Sequence, residues 1–205
     1  MNTIICNQGY IISKNILSES NIRKIKNELS VKPFIMGNRS HMAKTFKIYR
    51  ENDDKFCLPK YYGIKNFGNP DLTDFNESKE INLSFNGDLR DYQKKVVDTV
   101  IPKIKNQEGG TISLPPGRGK TVIACNIISK LRTKTLVIVH KTFLLNQWKN
   151  RIEFFLPNSK VGIIQGKTID VDNKDIVIGM LQTLSLKDDY PDDIFDDFGC
   201  IIFDE

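Results

Sequence analysis

A chain of 205 residues with 40% apolar side chains has material for one ordinary domain or two small ones, each with a buried core. Its apolar runs are too short for a membrane span, its N-terminus lacks the basic and apolar regions of a secretory signal, and its four cysteines (Cys6, Cys57, Cys125 and Cys200) show no paired spacing. No transmembrane segment is indicated, neither a disulfide framework nor a zinc site is suggested, and an intracellular location follows by default. The net charge of +5 hides a segregation: residues 1–70 carry 12 basic and 5 acidic side chains, 71–86 carry 1 and 4, 87–168 carry 15 and 5, and 169–205 carry 2 and 11. Two basic blocks flank an acidic link. Such blocks suit a phosphate backbone, although lysines on solvated faces give the same arithmetic.

In chain order, Ile22, Ile25 and Leu29 recur at helical spacing and predict a helix over Glu19–Leu29 with Ser18 as its cap. Thr45–Arg50 and Lys55–Leu58 read as two strands of a hairpin joined by Glu51-Asn52-Asp53-Asp54. The polar stretch from Gly68-Asn69-Pro70 to Glu80 is the best domain boundary, which predicts a small basic α+β domain over 1–68, a linker over 69–86 and a second domain over 87–205. In the second domain an amphipathic helix over Asp91–Gln107 precedes a strand at Thr111–Leu114, a helix at Thr121–Leu131, a strand at Thr135–Val139 and a helix at Thr142–Leu156. Strands follow at Val161–Gln165, Ile176–Gly179 and Cys200–Phe203, the last read as a buried apolar strand. Alternation of this kind predicts a parallel sheet wrapped by helices.

Chemistry is concentrated in Leu114-Pro115-Pro116-Gly117-Arg118-Gly119-Lys120-Thr121, between a predicted strand and a predicted helix. Glycines let the backbone curl so that amides from Gly117 to Thr121, through Arg118 and Gly119, converge on phosphates at a helix N-terminus. Lys120 would reach the β- and γ-phosphates, and Thr121 would offer its hydroxyl to Mg²⁺. The first glycine of the general phosphate-loop pattern is replaced by Leu114. Far downstream, Asp204-Glu205 ends an apolar strand, where acids of an open α/β sheet face the same crevice. There Asp204 would hold Mg²⁺ through water, and Glu205 would orient and deprotonate an attacking water.

Through these motifs the chain resembles the superfamily 2 helicases, in the branch that includes the XPB repair helicase and the phage UvsW helicase. Leu89-Arg90-Asp91-Tyr92-Gln93 is similar to that branch's adenine-sensing motif, in which Gln93 would contact the adenine edge. The segment from Val139-His140-Lys141-Thr142 to Trp148 looks like motif Ia, which implies contacts from Lys141 and Thr142 to the phosphates of a tracked strand. Trp148 is read as packing in preference to base stacking. Gln165-Gly166-Lys167 resembles motif Ib, and Ile178 to Thr183 resembles motif Ic, whose Gln182-Thr183 pair would lie near the DNA backbone. The N-terminal runs Phe46-Lys47-Ile48-Tyr49-Arg50 and Leu58 to Ile64 are similar to the small domain that precedes the motor in helicases of large DNA viruses. Their interleaved basic and aromatic residues suit nucleic acid; the alternative is a half-buried sheet with its tyrosines in the core.

The resemblance implies a P-loop, RecA-like first helicase lobe that uses ATP and Mg²⁺ to move along or unwind DNA, with a second lobe in the full-length protein. The sequence is accordingly expected to be an N-terminal portion, ending in the acidic motif and of little activity alone, located in a viral setting in the virion or at the replication or transcription site in a host cell. Two alternatives stay open: another P-loop ATPase acting on protein, or a non-catalytic DNA-binding piece.

Overall fold

The computed structural model describes residues 2–32, 44–106, 109–185 and 190–204. The chain divides into two compact units, residues 1–76 and 77–205.

The first unit is built on a five-stranded sheet. Its strands are β1 (Thr3–Cys6), β2 (Gly9–Ser13), β5 (Arg50–Glu51), β6 (Lys55–Leu58) and β7 (Leu72–Asp74), ordered β5-β6-β2-β1-β7; a separate pair joins β3 (Ser30–Val31) to β4 (Phe46–Lys47). Helix α1 (Glu19–Glu28) starts where Ser18 Oγ accepts from the Asn21 amide at 3.2 Å, the N-cap that its sequence predicts. Helix α2 (Lys60–Phe67) follows β6. The core gathers Ile5, Tyr10, Ile12, Ile25, Leu29, Tyr49, Phe56 and Leu58.

Two expectations for this region are corrected. Thr45–Arg50 is not one strand: β4 pairs with β3, and only Arg50–Glu51 forms the hairpin with β6, because Asn52 Oδ1 accepts from the amides of Asp54 and Lys55 and closes a tight turn. The stretch 69–86 is not a free linker. Its first part enters the first unit, with Leu72–Asp74 pairing parallel to β1 and the Asp71 carboxylate accepting from the Asn2 and Thr3 amides at 2.8 and 3.1 Å. Its last part enters the second unit, where Ile81 donates to the Arg132 carbonyl and the Ile81 and Leu83 side chains are buried. Phe75 packs against the first unit's core, and Ile81 and Leu83 join the second unit's.

The second unit carries a five-stranded sheet ordered β10-β9-β11-β8-β12, made of β8 (Thr135–Val139), β9 (Val161–Gln165), β10 (Thr168–Ile169), β11 (Ile176–Met180) and β12 (Cys200–Asp204). β9, β11, β8 and β12 are parallel, and β10 is an antiparallel edge. Helices α3 (Asp91–Lys105), α4 (Lys120–Leu131), α5 (Thr142–Phe155) and α6 (Leu181–Ser185) complete it. α4 and α5 cover one face through Cys125, Ile128, Leu145, Trp148 and Ile152. Residues 190–198 cover part of the other through Phe198 and neighbours on Leu136, Ile138 and Val177. β8 and β11 are buried along their whole length, as strands covered on both faces must be. Each fully buried Val or Ile there contributes about 1.5–3 kcal/mol of transfer free energy.

Two strand expectations also change. Thr111–Leu114 forms no ladder, although Ile112 and Leu114 pack beside α3 and α4. A strand needs a partner, whereas a helix satisfies its own backbone. β12 is an edge strand paired only with β8, and it alternates: Ile202 is half-buried while Ile201 and Phe203 are 57% and 70% exposed. No helix among the described residues is long and apolar enough to cross a membrane.

Candidate functional site

Topology brings the singled-out residues of the second unit to one edge of its sheet. A tight reversal at Arg132–Lys134 joins α4 to β8. Twelve helical residues rise about 18 Å and five strand residues about 16 Å, so Lys120 at the start of α4 returns to the level of Val139 at the end of β8. Asp204 lies beside Val139 in the parallel register. The phosphate-loop segment, the entry to α5 and the acidic strand end therefore share the carboxyl edge, where open α/β sheets place their ligands.

The loop has the backbone that its glycines predict. Gly117 and Gly119 adopt φ of 76° and 73°, in the left-handed region, and Gly119 caps α4 with no side chain satisfying the helix's first amides. A Cβ on Gly117 would meet open space, which leaves a cradle for an anion; one on Gly119 would sit 2.6 Å from Gln93 Nε2. Lys120 Nζ reaches back to the Leu114 carbonyl at 3.3 Å and is exposed. Thr121 is half-buried in the first turn.

Gln93 is placed against this loop. Its Oε1 accepts from the Arg90 amide at 2.9 Å, its Nε2 donates to the Arg118 carbonyl at 3.1 Å, and the residue is 5% exposed. Tyr92 Oη donates to the same carbonyl at 3.0 Å, and the Arg118 guanidinium lies 5.7 Å from the Tyr92 ring centroid. Both ends of the Gln93 amide are therefore engaged within the chain, and its evident contact is with the loop backbone.

The three segments after β8, β9 and β11 are tied to one another. Gln165 Nε2 donates to Thr142 Oγ1 at 3.2 Å, the Gly166 amide donates to Thr183 Oγ1 at 2.9 Å, and Gln182 Nε2 donates to the His140 carbonyl at 2.8 Å. Lys141, Thr142 and Gln182 are exposed, and Thr183 is half-buried. The result is a polar, hydrogen-bonded rim that presents Lys141 and, next to Gly166, the exposed Lys167.

Asp204 is half-buried, and its Oδ2 accepts from Trp148 Nε1 at 2.6 Å. Glu205 lies outside the described residues. The Thr121 hydroxyl and the Asp204 carboxylate supply oxygen donors of the kind Mg²⁺ takes, so the residues present fit that ion. The link from Trp148 escaped the sequence reading: an apolar helix position signals packing, and nothing in a linear pattern joins residues 56 apart.

In the first unit the aromatic residues divide. Tyr49 is buried and the Tyr62 hydroxyl donates to Glu28 at 2.7 Å, while Phe46 and Tyr61 are 55% and 54% exposed. Lys14 and Lys26 converge on Glu51 at 2.9 and 3.2 Å and hold its carboxyl below the usual range, so part of the basic charge there is internally balanced.

Comparison with known proteins identifies the family and the fold. Residues 86–205 match the family described as the type III restriction enzyme res subunit. A candidate ATP-dependent RNA helicase of Acanthamoeba polyphaga mimivirus is 38% identical over 208 residues, covering 99% of this chain and 40% of its own length. A candidate helicase of invertebrate iridescent virus 6 is 32% identical over 201 residues, covering 95% of this chain and 43% of its own. The chain therefore spans less than half the length of either relative. The solved Sulfolobus solfataricus SWI2/SNF2 ATPase core, in complex with dsDNA, matches with a TM-score of 0.50 at 22% identity, over 62% of this chain and 27% of that one; this likeness shows the fold, a RecA-like lobe.

Proposed function

Since the chain belongs to the family of the type III restriction enzyme res subunit, a superfamily 2 helicase-like group, we propose that its second unit is the first lobe of an ATP-driven DNA helicase or translocase. The observation that carries this is the shared carboxyl edge: a glycine cradle at the start of α4, Asp204 at the end of the neighbouring strand, and the linked rim around Lys141, Thr142, Gln182 and Thr183. Gly117 to Thr121 bind the phosphates, and Lys120 swings from the Leu114 carbonyl to the terminal phosphates. Thr121 and Asp204 would hold Mg²⁺, which would supply positive charge to the bound phosphates, and Glu205 would orient the attacking water. A second lobe contributes the remaining charge at the terminal phosphate. The reading extends to the branch that includes the XPB and UvsW helicases, to a basic first unit that adds grip on DNA, and to action at a viral replication or transcription site.

The family makes a protein-directed P-loop ATPase the weaker alternative. ATPase assays on the protein carried past Glu205, with single-stranded DNA, duplex DNA, RNA and no polymer, test the proposal. Stimulation by DNA supports it, stimulation by RNA alone replaces DNA by RNA, and turnover indifferent to every polymer refutes it.

A further inference from the structure

Trp148 is 2% exposed and held on all sides by the core that α4 and α5 form over β8 and β11, so the direction of its indole N–H is fixed by packing. That N–H is the ring's single polar group and can only donate. It meets Asp204 Oδ2 at the carboxyl edge at 2.6 Å, a short distance for a nitrogen donor. A carboxylate has two oxygens, and this bond occupies one from the side of the core.

We infer that Trp148 is a positioning residue for the nucleotide site: its indole N–H fixes the rotamer of Asp204, so that one carboxylate oxygen is anchored and the other is presented to the magnesium ion of a bound nucleotide. Packing alone does not require this arrangement, because a phenylalanine fills most of the same space without donating. Among the described residues β12 is an edge strand with one neighbour, β8, and the indole is the one side-chain donor that reaches the Asp204 carboxylate. The inference rests on the phosphate-loop reading above, and its test separates the two.

Trp148 is the only tryptophan in the chain, so a ¹⁵N-labelled sample gives one indole resonance, which is Trp148 Hε1. In the nucleotide-free 205-residue chain this resonance should lie downfield and exchange slowly. Asp204→Ala should move it upfield and speed its exchange at least tenfold, while the backbone spectrum of β8 and α5 stays in place. Mg²⁺·ADP should shift it in the wild type and leave it unmoved in Lys120→Ala. Trp148→Phe should raise the Mg²⁺ concentration for half-maximal nucleotide binding roughly fivefold or more, with nucleotide affinity in excess EDTA unchanged. An indole resonance indifferent to Asp204→Ala overturns the inference, even if Trp148→Phe proves unfolded. So does a wild-type magnesium dependence in a folded Trp148→Phe. If the wild type binds Mg²⁺·ADP no better than Lys120→Ala does, the phosphate-loop reading falls, and the magnesium role of Trp148 with it.

Discussion

Gly119→Ala tests how the helix before the phosphate loop is coupled to it. The native φ of 73° costs an alanine about 1 kcal/mol, and the new Cβ would stand 2.6 Å from Gln93 Nε2, so the tip of that side chain must shift. A shift that breaks the bond to the Arg118 carbonyl and the bond from the Arg90 amide costs about 1 kcal/mol for each. The expected loss is therefore up to about 3 kcal/mol, against about 1 kcal/mol for Gly117→Ala, whose Cβ enters open space. Urea unfolding followed by Trp148 fluorescence reads this, because the chain's one tryptophan lies in the second unit and reports that unit. In a Gln93→Ala background the obstruction is gone, and Gly119→Ala should cost only about 1 kcal/mol, a coupling of up to about 2 kcal/mol. Equal losses at the two glycines, or additivity of Gln93→Ala with Gly119→Ala, would refute the account of Gln93 as a support of the loop.

Lys120→Ala should leave the urea midpoint within about 0.5 kcal/mol, since its exposed amine makes one long bond, yet reduce nucleotide binding by calorimetry at least tenfold. An unchanged affinity would remove the phosphate loop from the site. DNA affinity should fall with salt along a log–log slope of about −0.7 to −0.9 per neutralised phosphate, and Lys141→Ala should flatten it by about one unit. A slope near zero would reduce the basic blocks to a solvated surface. In the first unit, the Asn2 and Thr3 amides bind the Asp71 carboxylate and lower its pKa. A carboxylate with a depressed folded pKa stabilises above its unfolded value, about 3.9, and that contribution is lost as pH falls through the lower folded one. The Thr3 amide resonance should therefore titrate with a midpoint below the ordinary aspartate range and lose that titration in Asp71→Asn; an ordinary midpoint would show that β7 is held by other means.

Locally determined features were legible in the residues. The Ser18 cap and the Ile22, Ile25, Leu29 spacing define α1 because a helix satisfies its own hydrogen bonds. The loop from Gly117 to Thr121 was readable for a similar reason: positive φ is a property of glycine itself. The apolar runs Thr135–Val139 and Ile176–Gly179 announced buried parallel strands, the second of which extends to Met180. Only the tertiary structure decided which extended segments obtained partners. Leu72–Asp74 found β1 and became a strand, while the more apolar Thr111–Leu114 found none and did not. The edge position of β12 left Ile201 and Phe203 exposed in a run that by composition belonged inside. The functional contacts follow the same division. Lys120, Thr121 and Asp204 are named by motif, but the bond of Trp148 to Asp204 and the bonds of Gln93 and Tyr92 to Arg118 join residues 56, 25 and 26 positions apart, distances that only a folded sheet can close.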